Sequence, residues 1–399
     1  MTHWVPELLA PAGNLEKLKV AVSYGANAVY LAGQKFGLRS AADNFTTDEL
    51  IEGIAFAHAH RAKVFLVLNS FLHDDELATL PEFLHLLEQL KVDAVIVSDL
   101  GVIEVVKANC QIPIHLSTQA TCLNTHSALL WKAVGVARIV LGREVSIKEA
   151  KKIKEVSGLE IEMFVHGSMC MAYSGNCVIS NYTQGRDSNR GGCAHSCRFA
   201  YAMEMPGLAD KEQTYFMSSK DLQGIGVLAE FIAAGIDSLK VEGRMKGHHY
   251  AGTISKVYAE ALSSYAHNGS FSPDHLWHWE SELNKVTHRE YTAASLLAPA
   301  DEQSIYNQRE NDQKDYVVAG MVLEVVPEKF ILLEVRHHFF RGDHLELLPF
   351  RGPAQFMQTE ALENVYGEEV EKTRPGSLVK LPYNENAKVY NLVRKKVLL

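Results

Sequence analysis

The chain of 399 residues contains only six cysteines, no long hydrophobic run and no excess of basic residues. No apolar stretch approaches the roughly 18–20 residues that a membrane-spanning helix needs, so we expect no membrane segment. The first residues lack a basic segment followed by an apolar run, so we expect no signal peptide and a cytoplasmic protein. The net charge of −9 argues against non-specific coating of nucleic acid, although it is compatible with a local basic pocket for one RNA.

The few cysteines are concentrated, because four of the six lie within 28 residues. Cys170, Cys177, Cys193 and Cys197 follow the spacing C-x6-C-x15-C-x3-C in a stretch rich in glycine, serine and asparagine. Thiols stay reduced in the cytoplasm, so a cluster of this kind indicates a metal site or catalysis rather than disulfides.

The spacing of the four cysteines bears on what they bind. Four thiolates can hold one zinc ion or the four irons of a cubane cluster. Structural zinc sites commonly use C-x2-C pairs, which are missing here, so the wide gaps favour an iron–sulfur cluster. Zinc and ordinary buried cysteines stay open as alternatives, and the second of these suits Cys110 and Cys122.

Hydrophobic periodicity predicts the fold. Short apolar runs alternate with amphipathic helical patterns, which is typical of βαβ units with parallel strands. The eight predicted strands lie in residues 7–13, 27–33, 63–69, 93–99, 114–120, 138–144, 161–167 and 238–244. Eight units predict an α/β fold of the TIM-like (β/α)8 barrel type, with an open doubly wound sheet as the alternative.

The regular spacing ends at Gly167, and about 70 residues separate the seventh predicted strand from the eighth. A cysteine-rich insertion over residues 168–219 accounts for the gap, with two strands around a Pro-Gly turn, and residues 221–235 restore the missing helix. We therefore expect a barrel over 1–265, a helical or irregular connector over 266–314, and a small all-β barrel domain over 315–399.

Polar residues at the ends of the predicted strands should face one pocket, because barrel enzymes keep their chemistry at the carboxyl ends of the strands. The predicted substrate-binding residues are Asn69, Ser117, Gln119, Arg143, Lys240 and Arg244, and the predicted catalytic residues are His166 and Glu242. The two arginines offer the paired N–H donors that a small anionic ligand with carboxylates needs, unless each pairs only with its neighbour, Glu144 or Glu242. A histidine such as His166 can act as a general acid or base, or as a hydrogen-bonding strut.

Arginines in the cysteine-rich stretch are candidates for RNA contact. Arg186, Arg190 and Arg198 could bind phosphate, or they could balance the charge of a cluster. Arg39 and Lys246 are weaker candidates of the same kind.

Several motifs carry a resemblance to a known family. The stretch EMFVHGSMCMAYSGNCVIS (162–180) resembles the signature of the collagenase-like peptidase family U-32. ELLAPAGNLEKLKVAVSYGANAVY, IHLSTQATCLN, GRDSNRGGCAHSCRFAY, MSSKDL and SLKVEGRMK are similar to its tRNA hydroxylation branch. The likeness covers most of residues 7–265 and, more weakly, THREYTAASLL and the C-terminal domain.

The resemblance implies an RNA-modifying hydroxylase. Members of that branch convert the wobble uridine in the tRNA anticodon loop to 5-hydroxyuridine without dioxygen, through a prephenate-dependent pathway, and hold a 4Fe–4S cluster on four cysteines. Carried over, the ligands are Cys170, Cys177, Cys193 and Cys197. The segment between Cys197 and MSSKDL is shorter than in longer members, which bears on substrate choice. Related branches act on ribosomal RNA or ubiquinone precursors.

The peptidase name of the family suggests an alternative function, but the usual peptidase motifs are missing from the sequence. The chain has no H-E-x-x-H helix and no G-x-S-x-G elbow, and Ser168 has no obvious base nearby in sequence. A cysteine peptidase uses one reactive thiol rather than four. Peptidase activity is therefore the runner-up to hydroxylation, and a scaffold with a structural cluster is a third reading.

Overall fold

The computed structural model describes residues 2–37, 43–203, 212–301 and 315–397. Its centre is a barrel of eight parallel strands, one at each run that the sequence predicts, with the seventh strand extending one residue beyond each end of its run. The strands are β1 (Glu7–Pro11), β2 (Ala28–Leu31), β3 (Lys63–Leu68), β4 (Ala94–Val97), β5 (Ile114–Leu116), β6 (Arg138–Val140), β7 (Glu160–Ser168) and β11 (Ser238–Val241). Pairing of β11 with both β1 and β7 closes the barrel, which excludes the open sheet.

Helices cover the outside of the barrel between successive strands. They are α1 (Leu15–Ser23), α2 (Thr47–Ala59), α3 (Asp74–Leu77), α4 (Leu80–Gln89), α5 (Leu100–Asn109), α6 (Thr125–Val134) and α7 (Ile147–Ser157). Their starts are fixed by side chains: the Asn14 side chain accepts from the Lys17 N–H, as expected for an N-cap. Ser146 and Glu149 form a capping box at α7.

The barrel interior has two different halves. Strands β1–β4 contribute an apolar half that includes Leu9, Phe65 and Ile96. The other half is charged. Glu162 on β7 is fully buried and binds Lys240 of β11 at 2.7 Å and Arg138 of β6 at 3.3 Å. Buried charges persist only when they are paired in this way.

The insertion begins where β7 ends, at Ser168, and returns to the barrel at β10 (Asp221–Gln223). It contains α8 (Ile179–Gln184) and an antiparallel pair, β8 (Tyr201–Met203) and β9 (Glu212–Thr214). The two strands were predicted, whereas the Pro-Gly turn between them lies outside the described residues.

The helix predicted over 221–235 is shorter than expected. Residues 221–223 form β10, which pairs antiparallel with the end of β7, and a 3₁₀ turn covers 225–227. The α-helix, α9 (Leu228–Ala233), therefore begins at Leu228.

The part of the predicted connector that the structure describes packs on the barrel. Helix α10 (His248–Asn268) runs three residues beyond the predicted boundary at 265, and α11 (Pro273–Leu283) follows. Trp279 and Leu283 belong to the main hydrophobic core, and β12 (Tyr291–Thr292) pairs with β10. Residues 302–314 lie outside the described part.

The C-terminal domain is all-β, as predicted, with seven antiparallel strands. They are β13 (Tyr316–Val326), β14 (Phe330–Val335), β15 (Leu345–Leu348), β16 (Gln355–Met357), β17 (Glu363–Asn364), β18 (Leu378–Pro382) and β19 (Leu392–Lys396). No pairing joins the edge strands β16 and β17 within residues 315–397, so an open sheet stands where a small barrel was predicted. These edges are only three and two residues long, and such short edges need no closure.

The C-terminal domain is fixed to the barrel by buried polar contacts. The Tyr24 hydroxyl donates to the Leu348 carbonyl at 2.6 Å and accepts from the Leu392 N–H at 2.8 Å. Arg394 is fully buried and forms an ion pair with Glu282 of α11 at 2.8 Å. Across the described ranges, no helix combines the length and the hydrophobicity that crossing a membrane requires.

Candidate functional site

A cavity opens between the carboxyl ends of the barrel strands and the cysteine-rich insertion. It encloses about 1240 Å³ of empty space, including solvent at its mouth. Most of the predicted site residues line it, namely Asn69, Ser117, Gln119, Arg143, Cys170, Cys177, Cys193, Cys197, Arg198, Lys240, Glu242 and Arg244. The closed barrel brings them together because parallel strands end on one face.

Three polar side chains form a hydrogen-bonded group on the wall of this cavity. The Asn69 amide at the end of β3 donates to the Ser117 hydroxyl at 3.2 Å and to the Gln119 side-chain oxygen at 3.0 Å. The Ser117 hydroxyl also donates to Gln119. This connection holds all three side chains in fixed orientations, so the wall presents ordered donors and acceptors to a ligand.

Arg143, which follows β6, carries a positive charge into the cavity. Its guanidinium carbon lies 3.8 Å from the centre of the Phe164 ring. Within the described part of the chain it has no carboxylate partner. The neighbouring Glu144 instead accepts from the Ser174 N–H at 3.0 Å, so the alternative of an Arg143–Glu144 pair is wrong. Arg143 is therefore available to an anion.

Unlike Arg143, the charged cavity residues on β11 and directly after it form hydrogen bonds or ion pairs with neighbouring side chains. Lys240 pairs with the buried Glu162, so its charge is already balanced. The guanidinium of Arg244 donates to the Asn44 side chain at 2.7 Å. Glu242 accepts from the Tyr30 hydroxyl at 3.2 Å. Arg143 is the better candidate than Lys240 for binding a carboxylate.

All four cysteines of the insertion are free thiols that line the cavity. Burial raises the pKa of Cys170 and Cys197, and the charges of the neighbouring cysteines raise it further. Thiols that influence one another in this way lie close together. No group of three or more His, Cys, Asp or Glu side chains is arranged to hold a metal ion in the ranges that the structure covers. Four thiols are the donor set that a four-iron cluster uses, and the same donors can bind one zinc ion.

The insertion positions its cysteines through side-chain hydrogen bonds rather than through regular structure. The Asn189 amide donates to the Cys177 carbonyl at 3.2 Å, and its oxygen accepts from the Cys177 N–H at 3.4 Å. The Ile179 N–H donates to the Cys177 sulfur at 3.4 Å. A backbone donor aimed at a sulfur stabilises a thiolate and tunes a bound cluster.

A second set of hydrogen bonds supports the segment that carries Cys193 and Cys197. The hydroxyl of Ser196, which lies between Cys193 and Cys197, is 3.3 Å from that of Ser180 and accepts from Thr183 at 2.7 Å. Ser196 is 1% exposed, so these bonds satisfy an otherwise buried polar group.

The predicted catalytic residue His166 does not face the cavity. A register shift in the β7–β11 pairing falls between Lys240 and Val241, and a bulge of this kind interrupts the alternation that would have turned His166 inward. The ring is 1% exposed, and its nitrogens lie 3.3 Å from the Tyr258 hydroxyl and 3.5 Å from the Tyr291 hydroxyl. Burial lowers the pKa of His166 to about 3. The residue is a neutral strut, which corrects its predicted placement at the site.

The three predicted RNA-binding arginines have different surroundings. Arg190 donates to the Phe71 carbonyl and pairs with Glu76 at 2.9 Å, so it anchors the insertion to α3 rather than facing RNA. Arg198 lines the cavity beside Cys197, and Arg186 is exposed. The weaker candidate Arg39 lies outside the described residues, and Lys246 donates to the Thr287 carbonyl at 3.2 Å.

Ser174 is a cavity residue that the sequence did not single out. It has a positive φ of 50°, is 2% exposed and has a hydroxyl without a hydrogen-bond partner. One carboxylate oxygen of Glu144 is likewise buried without a partner. The positive φ of Ser174 cannot be predicted from the sequence. Glu144, in contrast, follows a predicted strand, so the sequence could have indicated it as a site residue in its own right.

Comparison with known proteins places the chain in a family. The model of peptidase family U32 matches residues 13–305, and that of its C-terminal domain matches residues 314–394. The tRNA hydroxylation protein P1 of Bacillus subtilis is 38% identical, over 98% of this chain and 94% of that protein. The tRNA hydroxylation protein P of Helicobacter pylori is 40% identical, over 80% of this chain and 78% of that protein. The 23S rRNA 5-hydroxycytidine C2501 synthase of Escherichia coli is 38% identical, over 65% of this chain and 39% of that protein. With both models matched over nearly its whole length, the chain belongs to peptidase family U32.

Proposed function

We propose that the protein hydroxylates tRNA, forming 5-hydroxyuridine at the wobble position. Relatives named as tRNA hydroxylation proteins align along most of the chain. The observation that carries the proposal is that one cavity joins four free thiols, an arginine without a carboxylate partner among the described residues, and an ordered polar wall. A peptidase does not require these three features together.

The proposed cofactor is a 4Fe–4S cluster held by Cys170, Cys177, Cys193 and Cys197. Four free thiols around one cavity, in a stretch without the C-x2-C pairs that are common in zinc sites, support this assignment. Such a cluster supplies one-electron transfer at a potential set by hydrogen bonds and solvent exposure. In this chain, the hydrogen bond from the Ile179 N–H to the Cys177 sulfur and the partial burial of three cysteines would tune that potential.

The hydroxyl source is proposed to be a small anionic donor of the prephenate type. Replacing C5–H of uridine by C5–OH removes two electrons from the base, so the donor must deliver the oxygen and accept those electrons. Arg143 would bind a donor carboxylate, because it is the cavity cation without a partner among the described residues. The Asn69–Ser117–Gln119 group would orient a polar substituent, with Arg244 beside it and Glu242 placed to accept a proton.

The RNA would reach the cavity from the side of the insertion. Bases in single-stranded loops can be splayed out and bound individually, which suits the anticodon loop. Arg198 lies at the cavity and Arg186 is exposed nearby in the chain, so both could contact phosphate, while the C-terminal domain would hold the stem. A tRNA substrate and reduced thiols are consistent with a cytoplasmic enzyme.

Nucleoside analysis tests the proposal. We expect tRNA from cells without the gene to lose 5-hydroxyuridine and its derivatives, and the wild-type gene to restore them. Arg143→Ala should fail to restore them and Arg143→Lys should restore them poorly, because lysine lacks the planar fork. Unchanged tRNA nucleosides in the deletion strain would contradict the proposal.

Three alternative functions are tested with the same strains and the purified protein. The relative that forms 5-hydroxycytidine in 23S rRNA favours a ribosomal target, and mass spectrometry of 23S rRNA would detect a loss there. Peptidase activity is supported by the family name, and cleavage of gelatin by the purified protein would detect it. Loss of ubiquinone without dioxygen would instead indicate the branch that acts on its precursors.

A further inference from the structure

Four aromatic rings of the insertion are exposed to solvent, and three of them, Tyr173, Tyr182 and Phe199, belong to segments that line the cavity. The exposed fractions are 63% for Tyr173, 89% for Tyr182 and 40% for Phe199. We call these three residues the ring platform. Exposing large apolar surface on a soluble protein is unfavourable unless something covers it, so a group of such rings beside a cavity indicates a binding surface.

Each residue of the ring platform belongs to a segment that lines the cavity. Tyr173 directly precedes Ser174, and Phe199 directly follows Arg198, and both of these neighbours line the cavity. Tyr182 lies on α8, the helix that contributes Ile179 and Ser180 to the cavity wall. The three rings thus come from three segments of one insertion that meet at one opening.

The local charge indicates what binds to these rings. Arg198 lines the cavity directly before Phe199, whereas the charge of Arg190 is balanced by Glu76. Arg186 is exposed and has no ion-pair partner within the described ranges. An exposed arginine on this segment can bind a phosphate of a polyanion.

We propose that the ring platform stacks the unpaired RNA bases that flank the base held in the cavity. This inference rests on the proposed function, because it assumes that the substrate is RNA. Every base has a π-face, so rings accept neighbouring bases whatever their sequence, while arginines bind the phosphates between them. Most residues between the rings in the chain are polar or glycine, which differs from the aliphatic core of a protein interface, although Val178 is also exposed there.

The direct test is RNA binding by variants of the intact protein. The probe is a fluorescent transcript of an unmodified anticodon stem-loop, and the readout is its dissociation constant by anisotropy. Tyr182→Ala should weaken binding roughly 5- to 100-fold, in the range of one base-stacking contact, and Tyr182→Phe should bind like the wild type. Trp277→Ala is the matched control, since Trp277 is 72% exposed on α11, outside the insertion. The proposal is overturned if Tyr182→Ala binds like the wild type or if Trp277→Ala weakens binding as much.

Two further arms separate the ring platform from the proposed function. A blunt duplex of the same stem should bind more weakly than the stem-loop and equally to wild type and Tyr182→Ala; equal affinity for both RNAs would overturn stacking. If the wild type modifies tRNA but the platform variants bind normally, only the ring platform is refuted. If the wild type binds no RNA, both proposals fall. Tight binding of a protein instead, lost in Tyr182→Ala, would assign the surface to a protein partner.

Discussion

The barrel and the cysteine-rich insertion of this protein are held together by different forces. Every residue of β2, β4, β5, β6 and β11 is buried, and the strands pair in a continuous closed ladder. The insertion has little regular structure, and hydroxyl and amide side chains such as Ser196 and Asn189 fix its backbone. Apolar burial dominates stability in the first region, and local hydrogen bonds hold the second.

This difference separates the scaffold from the chemistry. Loss of a buried apolar side chain in the barrel should unfold the whole molecule more easily. Loss of a hydrogen bond in the insertion should loosen the cysteines and leave the barrel folded. The following variants test that separation.

The largest effect on stability is expected in the barrel. Leu66 of β3 is fully buried, so Leu66→Ala should lower the free energy of unfolding by about 2–5 kcal/mol, from lost burial and the cavity left behind. Urea unfolding followed by circular dichroism measures it. Val178→Ala is the control, because Val178 is 56% exposed in the insertion and should change stability by less than about 0.5 kcal/mol. Equal losses in the two variants would remove the distinction between the regions.

Acid should lower the stability of the folded protein, because His166 is buried in the barrel wall in its neutral form. Burial lowers its pKa from an ordinary 6.5 to about 3, against an opposing effect of Asp221, so the unfolded state binds the proton more tightly. Stability should therefore fall as pH decreases from about 6.5 towards 3, by about 3 kcal/mol at pH 4.

The variant His166→Asn should lose that part of the pH dependence while retaining tRNA hydroxylation within a few-fold. His249, whose burial also lowers its pKa to about 3, keeps its own acid sensitivity in both proteins. Urea unfolding at several pH values measures the first effect and nucleoside analysis the second. A loss of hydroxylation in a folded His166→Asn protein would return His166 to the catalytic residues.

In the insertion, the effect should be smaller and local. Ser196→Ala removes a buried acceptor for Thr183 and should destabilise the segment by about 1–2 kcal/mol. Hydrogen exchange should speed up around Cys193 and Cys197 while global urea unfolding stays the same. A shift of the global transition by the same amount would mean that insertion and barrel unfold as one unit.

The smallest effect is expected at the ion pair between insertion and barrel. Arg190 and Glu76 are both partly exposed, with side-chain exposures of 29% and 35%. Arg190→Lys should change stability by no more than about 1 kcal/mol, and salt should reduce the difference. Thermal unfolding at low and high salt measures this. A large salt-insensitive loss would show that the pair is more than a surface contact.

The sequence predicted the barrel well because its strands are buried on both faces. Continuous apolar runs such as those ending at Leu31 and Val97 have only one favourable place, inside a parallel sheet. Lys240 illustrates the limit: it was correctly placed at the cavity, but its engagement with Glu162 joins residues 78 positions apart. The local sequence pattern does not predict an ion pair between residues so far apart in the chain.

His166 and Ser174 show what else the sequence could not reveal. A bulge turned His166 away from the cavity, and a positive φ turned the Ser174 hydroxyl into a buried position. Both depend on backbone irregularities that tertiary packing imposes on ordinary residues. The open C-terminal sheet could not be predicted either, because strand alternation predicts strands but not whether the two edge strands pair with each other.

The central claim is that the four cysteines of the insertion together hold an iron–sulfur cluster at the barrel mouth. Purification without oxygen, followed by assay of iron and acid-labile sulfide, tests it most directly. The wild type should contain about four of each per chain, with Cys177→Ser much depleted and the buried Cys122→Ser unchanged. A wild-type protein that contains no iron or sulfide after anaerobic purification and reconstitution, or a Cys177→Ser variant that binds both as well as Cys122→Ser does, would contradict the claim.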